Sequence, residues 1–406
     1  MCAPMFYEWT GLHKIQREDA PRVYHKEEDK RMKGDLFLLG GMGISILAIP
    51  MLVLMWSGMP MDAQAVLQNP ATAVSTPMSD SGQSKSGLDS LITEVPLSGS
   101  QTQNPESEAS VPNPEEDAPD YKCPIKDFKI LNRSTGKIEK ISIRDYVRGA
   151  VASEMPAAFH TEALKAQGVS ALSYALHAAA VQRANPDPAL GGADFSADPQ
   201  NRLGYMTQKQ VKEFYGDNAD YSWQKICEAA DEAAKWVMLY EGEPIAAAYH
   251  AISAGITESA ANIWGGELPY LVEADSSWDM LAESFRSVVT ISKEELQQKI
   301  TAAGIQLEED PEAWLEILER SPAGYVTKIR VGNAELHGNQ LRDLLGLRSA
   351  CFYYSIQTRG FVFDVRGYGH GAGLSQNGAD YLARQGKSFT QILHHYYTGI
   401  QMAKMA

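Results

Sequence analysis

Residues 145–176 read DYVRGAVASEMPAAFHTEALKAQGVSALSYAL, two helical stretches parted by a single proline. In the first, Val147, Val151 and Glu154 fall at i, i+4 and i+7, so a carboxylate shares the apolar face of its helix. Pro156 disfavours helix at Met155 and ends the element there. The second helix starts near Thr161-Glu162 and carries Leu164, Ala171, Leu172, Ala175 and Ala179 at helical spacing. Upstream, FKILNRSTGKIEKISIRDYV predicts two short strands around the turn Ser134-Thr135-Gly136. Downstream, residues 184–204 are rich in Pro, Asp and Gly and read as a loop, and 208–240 alternate in helical fashion. From Ala246 to Phe363, apolar runs such as YVTKIRV and FVFDV read as strands between helices, and SFTQILHHYYTGI as a short amphipathic helix. Without regular βα alternation, this mixture predicts an α+β domain.

The rest of the chain sets the context. A formal charge of −15 over 406 residues argues against a nucleic-acid partner, which would need clustered Lys and Arg. The run from Leu36 to Trp56, LFLLGGMGISILAIPMLVLMW, holds 21 residues without a charge, long enough to span a bilayer core of about 30 Å. Lys30, Arg31 and Lys33 precede it, and no Lys or Arg follows until Lys85. The positive-inside rule therefore predicts a single-pass anchor in the cell membrane, with the N-terminus cytoplasmic and the C-terminal domain extracytoplasmic. The rival reading, a signal peptide cleaved at Ala63-Gln64-Ala65, is disfavoured by the long leading tail and the length of the apolar run. Residues 57–122 carry two basic against ten acidic residues among Ser, Pro, Gln and Thr, the composition of a disordered linker. The predicted organisation is thus a tail over 1–35, an anchor over 36–56, a linker over 57–122 and a folded domain over 123–406. Cys2, Cys123, Cys227 and Cys351 form no C-x-x-C pair and read as buried thiols, with one bridge among the last three left open.

Three stretches carry chemistry. Glu154 sits on an apolar face and in the last turn of its helix, where backbone carbonyls crowd. Both surroundings disfavour the ionised carboxylate, and a carboxyl kept protonated near neutrality is what a general acid needs. The plain alternative, which the pattern alone favours, is a solvated Glu at a frayed helix end. The second stretch, AAYHAISAGITESAANIWGGELPYL, gathers His250, Ser253, Gly255, Thr257, Glu258 and Trp264 in a small-residue loop, the materials of a carbohydrate groove. Its plain alternative is a loop whose His250 caps a backbone carbonyl. The third, GYGHGAGLSQNGAD from Gly367 to Asp380, sets five glycines around His370 and Ser375-Gln376-Asn377. So much glycine serves either a tight backbone crossing or a ligand surface.

In this order, and spanning nearly all of residues 125–400, the three blocks resemble the stage II sporulation protein D family. The resemblance implies a lytic transglycosylase acting on peptidoglycan glycan strands during spore engulfment, with a central cleft in a mixed α/β domain. It places the catalytic carboxyl on Glu154 and the polar loop on His250, Ser253, Gly255 and Glu258. It places the glycine-rich signature on Gly369, His370, Gly371, Gly373, Ser375 and Gln376. Tyr368 stands where Trp is common. On this reading the glycines shape a cleft wall from which His370, Ser375 and Gln376 are exposed to glycan.

The implied partners are glycan strands stripped of stem peptides, other engulfment membrane proteins and a cell-wall amidase. No cofactor is implied. Some members bind zinc through Cys and His after the second helix, but DPQNRLGYM at 198–206 has neither, so no metal is expected. Leu172 and Ser173 replace the usual Arg and Thr, and Ala251, Ala254 and Ile256 the usual Ser, Gly and basic residue. If that Arg only supports the site, Leu172→Arg should keep the fold and leave turnover unchanged or raise it, whereas a large loss of stability would mark Leu172 as a buried core residue. Two other readings remain beside the enzyme: a non-catalytic glycan-binding amidase enhancer, and an engulfment scaffold.

Overall fold

The computed structural model describes residues 118–406. The tail, the anchor and all but the end of the linker lie outside the described residues. Among those described, no helix is long and apolar enough to cross a membrane.

The helix pair expected from the sequence is present. Helix α1 spans Ile143–Glu154 and α2 spans Thr161–Ala184. Ser142 caps α1 by accepting a hydrogen bond from the Asp145 amide at 3.1 Å. The helix ends at Glu154 because Met155 turns extended, with φ −125°, ahead of Pro156. Two further helices, α3 (Gln208–Tyr215) and α4 (Ala219–Ala233), follow. Gly168 lets α1, α2 and α4 close on one another: a Cβ there would lie 2.6 Å from the Ala233 Cβ and 3.3 Å from side-chain carbons of Val147 and Val151. Val147, Val151, Leu164, Leu172 and Ala175 all lie in the resulting core.

Two sheets flank these helices. In one, Gln401–Met405 pairs parallel with Asp120–Tyr121 and antiparallel with Trp236–Tyr240. In the other, Asp127–Asn132 lies between Lys137–Ser142 and Phe195–Ala197. Two expectations are corrected here. The helical reading of 208–240 fails at Trp236–Tyr240, WVMLY, where a continuous apolar run is buried as a strand after α4 ends. The loop expected over 184–204 contains the strand Phe195–Ala197, whose Phe195 ring packs 5.3 Å from Phe128 and 5.5 Å from Tyr146.

After the short helix α5 (Ala260–Trp264), the chain enters a lobe with its own core of Leu296, Trp314, Phe352, Phe361 and Phe363. The strands Cys351–Gln357, Gly360–Arg366 and Arg286–Ile291 form one of its sheets. Leu315–Arg320, Val326–Val331 and Ala334–Leu336 form the other. Helices α6 (Lys293–Ala302) and α7 (Gly338–Leu345) complete it. The lobe opens and closes at one point, where the Gly367 amide donates to the Phe285 carbonyl at 2.7 Å. The chain then returns to the main core as Leu374–Ser375, α8 (Gln376–Arg384) and α9 (Phe389–Tyr396). Cys123, Cys227 and Cys351 are free thiols, and of the three only Cys351 is fully buried.

Candidate functional site

Glu154 is not a frayed, solvated residue. It is buried, 6% exposed. Burial pushes its carboxyl up to about 7, against a weaker downward pull from a hydrogen bond with the Gln376 side chain. Gln376 in turn donates from Nε2 to Gln167 Oε1 at 3.2 Å. The first and third sequence blocks therefore meet at Glu154.

The second and third blocks meet by backbone. Tyr249–His250 pairs parallel with Leu374–Ser375, and Ser375 lies opposite His250. Further bridges join Ile252 to Tyr368 and Glu258 to Ala372. The crossing is too close for side chains. At Gly373, φ +69°, a Cβ would stand 2.0 Å from the Ala248 carbonyl oxygen, and at Gly369, φ +118°, 2.6 Å from the His250 Cβ. The glycines thus serve a tight structural crossing rather than an open ligand surface.

Burial changes the expected roles of the polar residues. His370, Ser375 and Gln376 are not exposed on a cleft wall: they are 6%, 0% and 5% exposed. His250 is fully buried, and its Nδ1 lies 3.0 Å from the Ala372 carbonyl, the plain capping role. Burial holds its imidazole down at about 3, so it is neutral at ordinary pH. Burial, then the neighbouring His250, also keeps His370 well below the usual histidine range. Ser375 caps α8 by accepting from the Gly378 amide at 3.2 Å. Gly255 is buried at φ +109° and donates to the Ser253 hydroxyl at 3.1 Å. Glu258 accepts from the Ser259 amide at 3.0 Å and from Asn262 Nδ2 at 2.8 Å. Tyr368 is half-buried with the Arg348 guanidinium 5.0 Å from its ring, and Trp264 is half-buried 5.2 Å from the His370 ring.

Three residues around this site escaped the sequence reading. Asp279, 1% exposed, accepts from the Ser253 amide at 2.8 Å and the Ser276 hydroxyl at 3.0 Å. Burial pushes its carboxyl up against these bonds. Tyr325, from the lobe, accepts from the Ala254 amide at 2.9 Å and packs where a Cβ on Gly371 would fall. Gln167 is the third. WDM and AGY offered no motif for the first two, and Gln167 was hidden in an apolar helix. At 198–206, Asp198 accepts from Ser134 and from Asn201 Nδ2 at 2.7 Å, which organises the loop through protein hydrogen bonds. Among the described residues, no group of three or more His, Cys, Asp or Glu is placed to hold a metal ion.

The chain is similar in sequence to known proteins. Residues 132–240 match the family described as stage II sporulation protein. The chain is 34% identical over 275 residues to the stage II sporulation protein D of Bacillus amyloliquefaciens, covering 68% of this chain and 78% of that protein. It is 31% identical over 277 residues to the protein of the same name from Bacillus subtilis (strain 168), with the same coverage. Over 304 residues it is 25% identical to the amidase enhancer of Bacillus subtilis (strain 168), spanning 62% of this chain and 39% of that protein. The chain therefore belongs to the stage II sporulation protein D family.

Proposed function

We propose that this chain is a membrane-anchored lytic transglycosylase that cleaves peptidoglycan glycan strands between N-acetylmuramic acid and N-acetylglucosamine during spore engulfment. The observation that carries the reading is Glu154, a buried carboxyl that takes its proton near pH 7. Protonated, it would donate to the glycosidic oxygen as a general acid. The carboxylate left behind would then take the proton of the muramic acid C6 hydroxyl as that oxygen attacks C1, closing a 1,6-anhydro ring. One carboxyl suffices for both steps, whereas ordinary glycosidases need a pair about 5–10 Å apart. The folded domain would work outside the cytoplasm on the linker of residues 57–122, beside a cell-wall amidase and other engulfment proteins.

The test is chemical. Full-length chain in detergent, incubated with isolated glycan strands, should produce 1,6-anhydromuramic ends and no new reducing ends. Acid–base help of this kind is typically worth about 10² to 10⁴ in rate, so Glu154→Gln should lose nearly all of it while still binding glycan. New reducing ends would instead reveal a carboxylate that activates water, with Glu258 and Asp279 the buried candidates. One observation favours a second reading, the non-catalytic amidase enhancer. The Ser253 and Ser375 hydroxyls, one ring nitrogen of His250 and one carboxylate oxygen of Glu258 are already engaged in hydrogen bonds within the protein. Equal behaviour of wild type and Glu154→Gln would select it.

A further inference from the structure

The helix pair that places Glu154 also places Gln167, a fully buried residue of α2. An amide side chain has two N–H donors on its nitrogen and acceptor capacity on its oxygen. Gln376 Nε2 donates to Gln167 Oε1 at 3.2 Å, and the same side chain reaches the Glu154 carboxyl and draws it downward against its burial. Turned over, the Gln376 amide would set its oxygen against the Gln167 Oε1 acceptor and, whenever Glu154 is ionised, against that carboxylate too. Gln167 Oε1 therefore selects the orientation that presents nitrogen to Glu154. Its neighbour Gly168 seats α2 directly against Val147 and Val151 of α1, which fixes the backbone from which Gln167 projects. Among the described residues, two buried polar atoms flank this relay without a hydrogen-bond partner, Glu154 Oε2 and Gln167 Nε2. Leaving such atoms unpaired costs about 1–3 kcal/mol each, so the arrangement is not one that stability alone selects.

We infer that Gln167 is a positioning residue: by accepting from Gln376 it locks that amide toward Glu154, and so holds the Glu154 carboxyl with Oε2 free to exchange its proton. The inference rests on Glu154 being the proton donor proposed above, but its test reads the carboxyl and not turnover. Among the described residues, the titratable group that interacts with Glu154 is Tyr146 on the same helix, buried and neutral at ordinary pH.

Infrared difference spectra of the full-length chain, wild type minus Glu154→Gln, follow this one carboxyl through a titration. Gln167→Met removes the acceptor at nearly constant volume. The Glu154 midpoint should then rise by about one pH unit, because the ionised form loses an oriented donor. Gln376→Met should move it the same way, and the double variant should move it no further than the larger single shift. Gln167→Asn, drawn back by one methylene, supplies the same comparison should the Met variant fail to fold. A Gln376 variant that shifts the midpoint beside Gln167 variants that leave it at the wild-type value overturns the inference. Absence of anhydromuramic ends would count against the transglycosylase reading alone, and these midpoints would still decide the role of Gln167.

Discussion

Glu154 was legible as a residue because helical spacing alone puts it on the face of Val147 and Val151, and that face is the core. His250 and Ser253 were misread because their partners are distant in sequence, the Ala372 carbonyl for the first and Asp279 for the amide of the second, and Ser375 because its hydroxyl caps its own helix. A serine in a loop looks the same whether it faces solvent or a buried carboxylate. The Glu154 burial has a consequence for stability whose sign can be worked out. Its carboxyl titrates near 7 in the folded chain against an ordinary 4.5, so the folded state holds the extra proton between those values. Stability from this group is fully present below about 4.5 and is lost as pH rises through 7, by about 3 kcal/mol. Glu154→Gln, neutral throughout, should therefore gain on wild type by about that amount between pH 4 and pH 8.5 in urea unfolding. A stability difference that stays flat with pH would mean that the carboxyl is solvated.

Among the elements, α1 and α2 were readable from period and proline, whereas Trp236–Tyr240 and Phe195–Ala197 were not. Both strands are short, and their pairing partners, Gln401–Met405 and Asp127–Asn132, lie far along the chain. Position 172 shows the limit of carrying a family pattern onto an element. Leu172 is 0% exposed on α2 and packs within the main core, so it is a core residue and not a vacant support position beside the site. The expectation that Leu172→Arg leaves the fold intact is withdrawn on that ground. The substitution should cost at least 3 kcal/mol, since it forces a guanidinium into packed apolar surroundings. Thermal melting checks this; a variant that melts with wild type would show that a counter-charge reaches the position.

For the whole molecule, the mixed α and β content was readable from composition and period, but the division into two cores was not. Nothing local in FVFDV or YVTKIRV says that these strands pack with each other instead of with α2. The junction between Phe285 and Gly367 now bears on the order of assembly. His250 and Ala372, which meet at the crossing, are 122 residues apart along the chain. Once the lobe has folded and its two ends touch, the loop that must close to bring them together is about a third as long. Closure entropy scales with the logarithm of loop length, so prior folding of the lobe lowers the cost of the crossing by about 1 kcal/mol. The lobe should accordingly lead and the crossing follow. In stopped-flow experiments, Phe363→Leu in the lobe should chiefly slow folding, and Ser375→Ala at the crossing should chiefly speed unfolding. The opposite partition would mean that the crossing nucleates first. The lobe thus acts as a splint, shortening the search that brings distant parts of the chain into register.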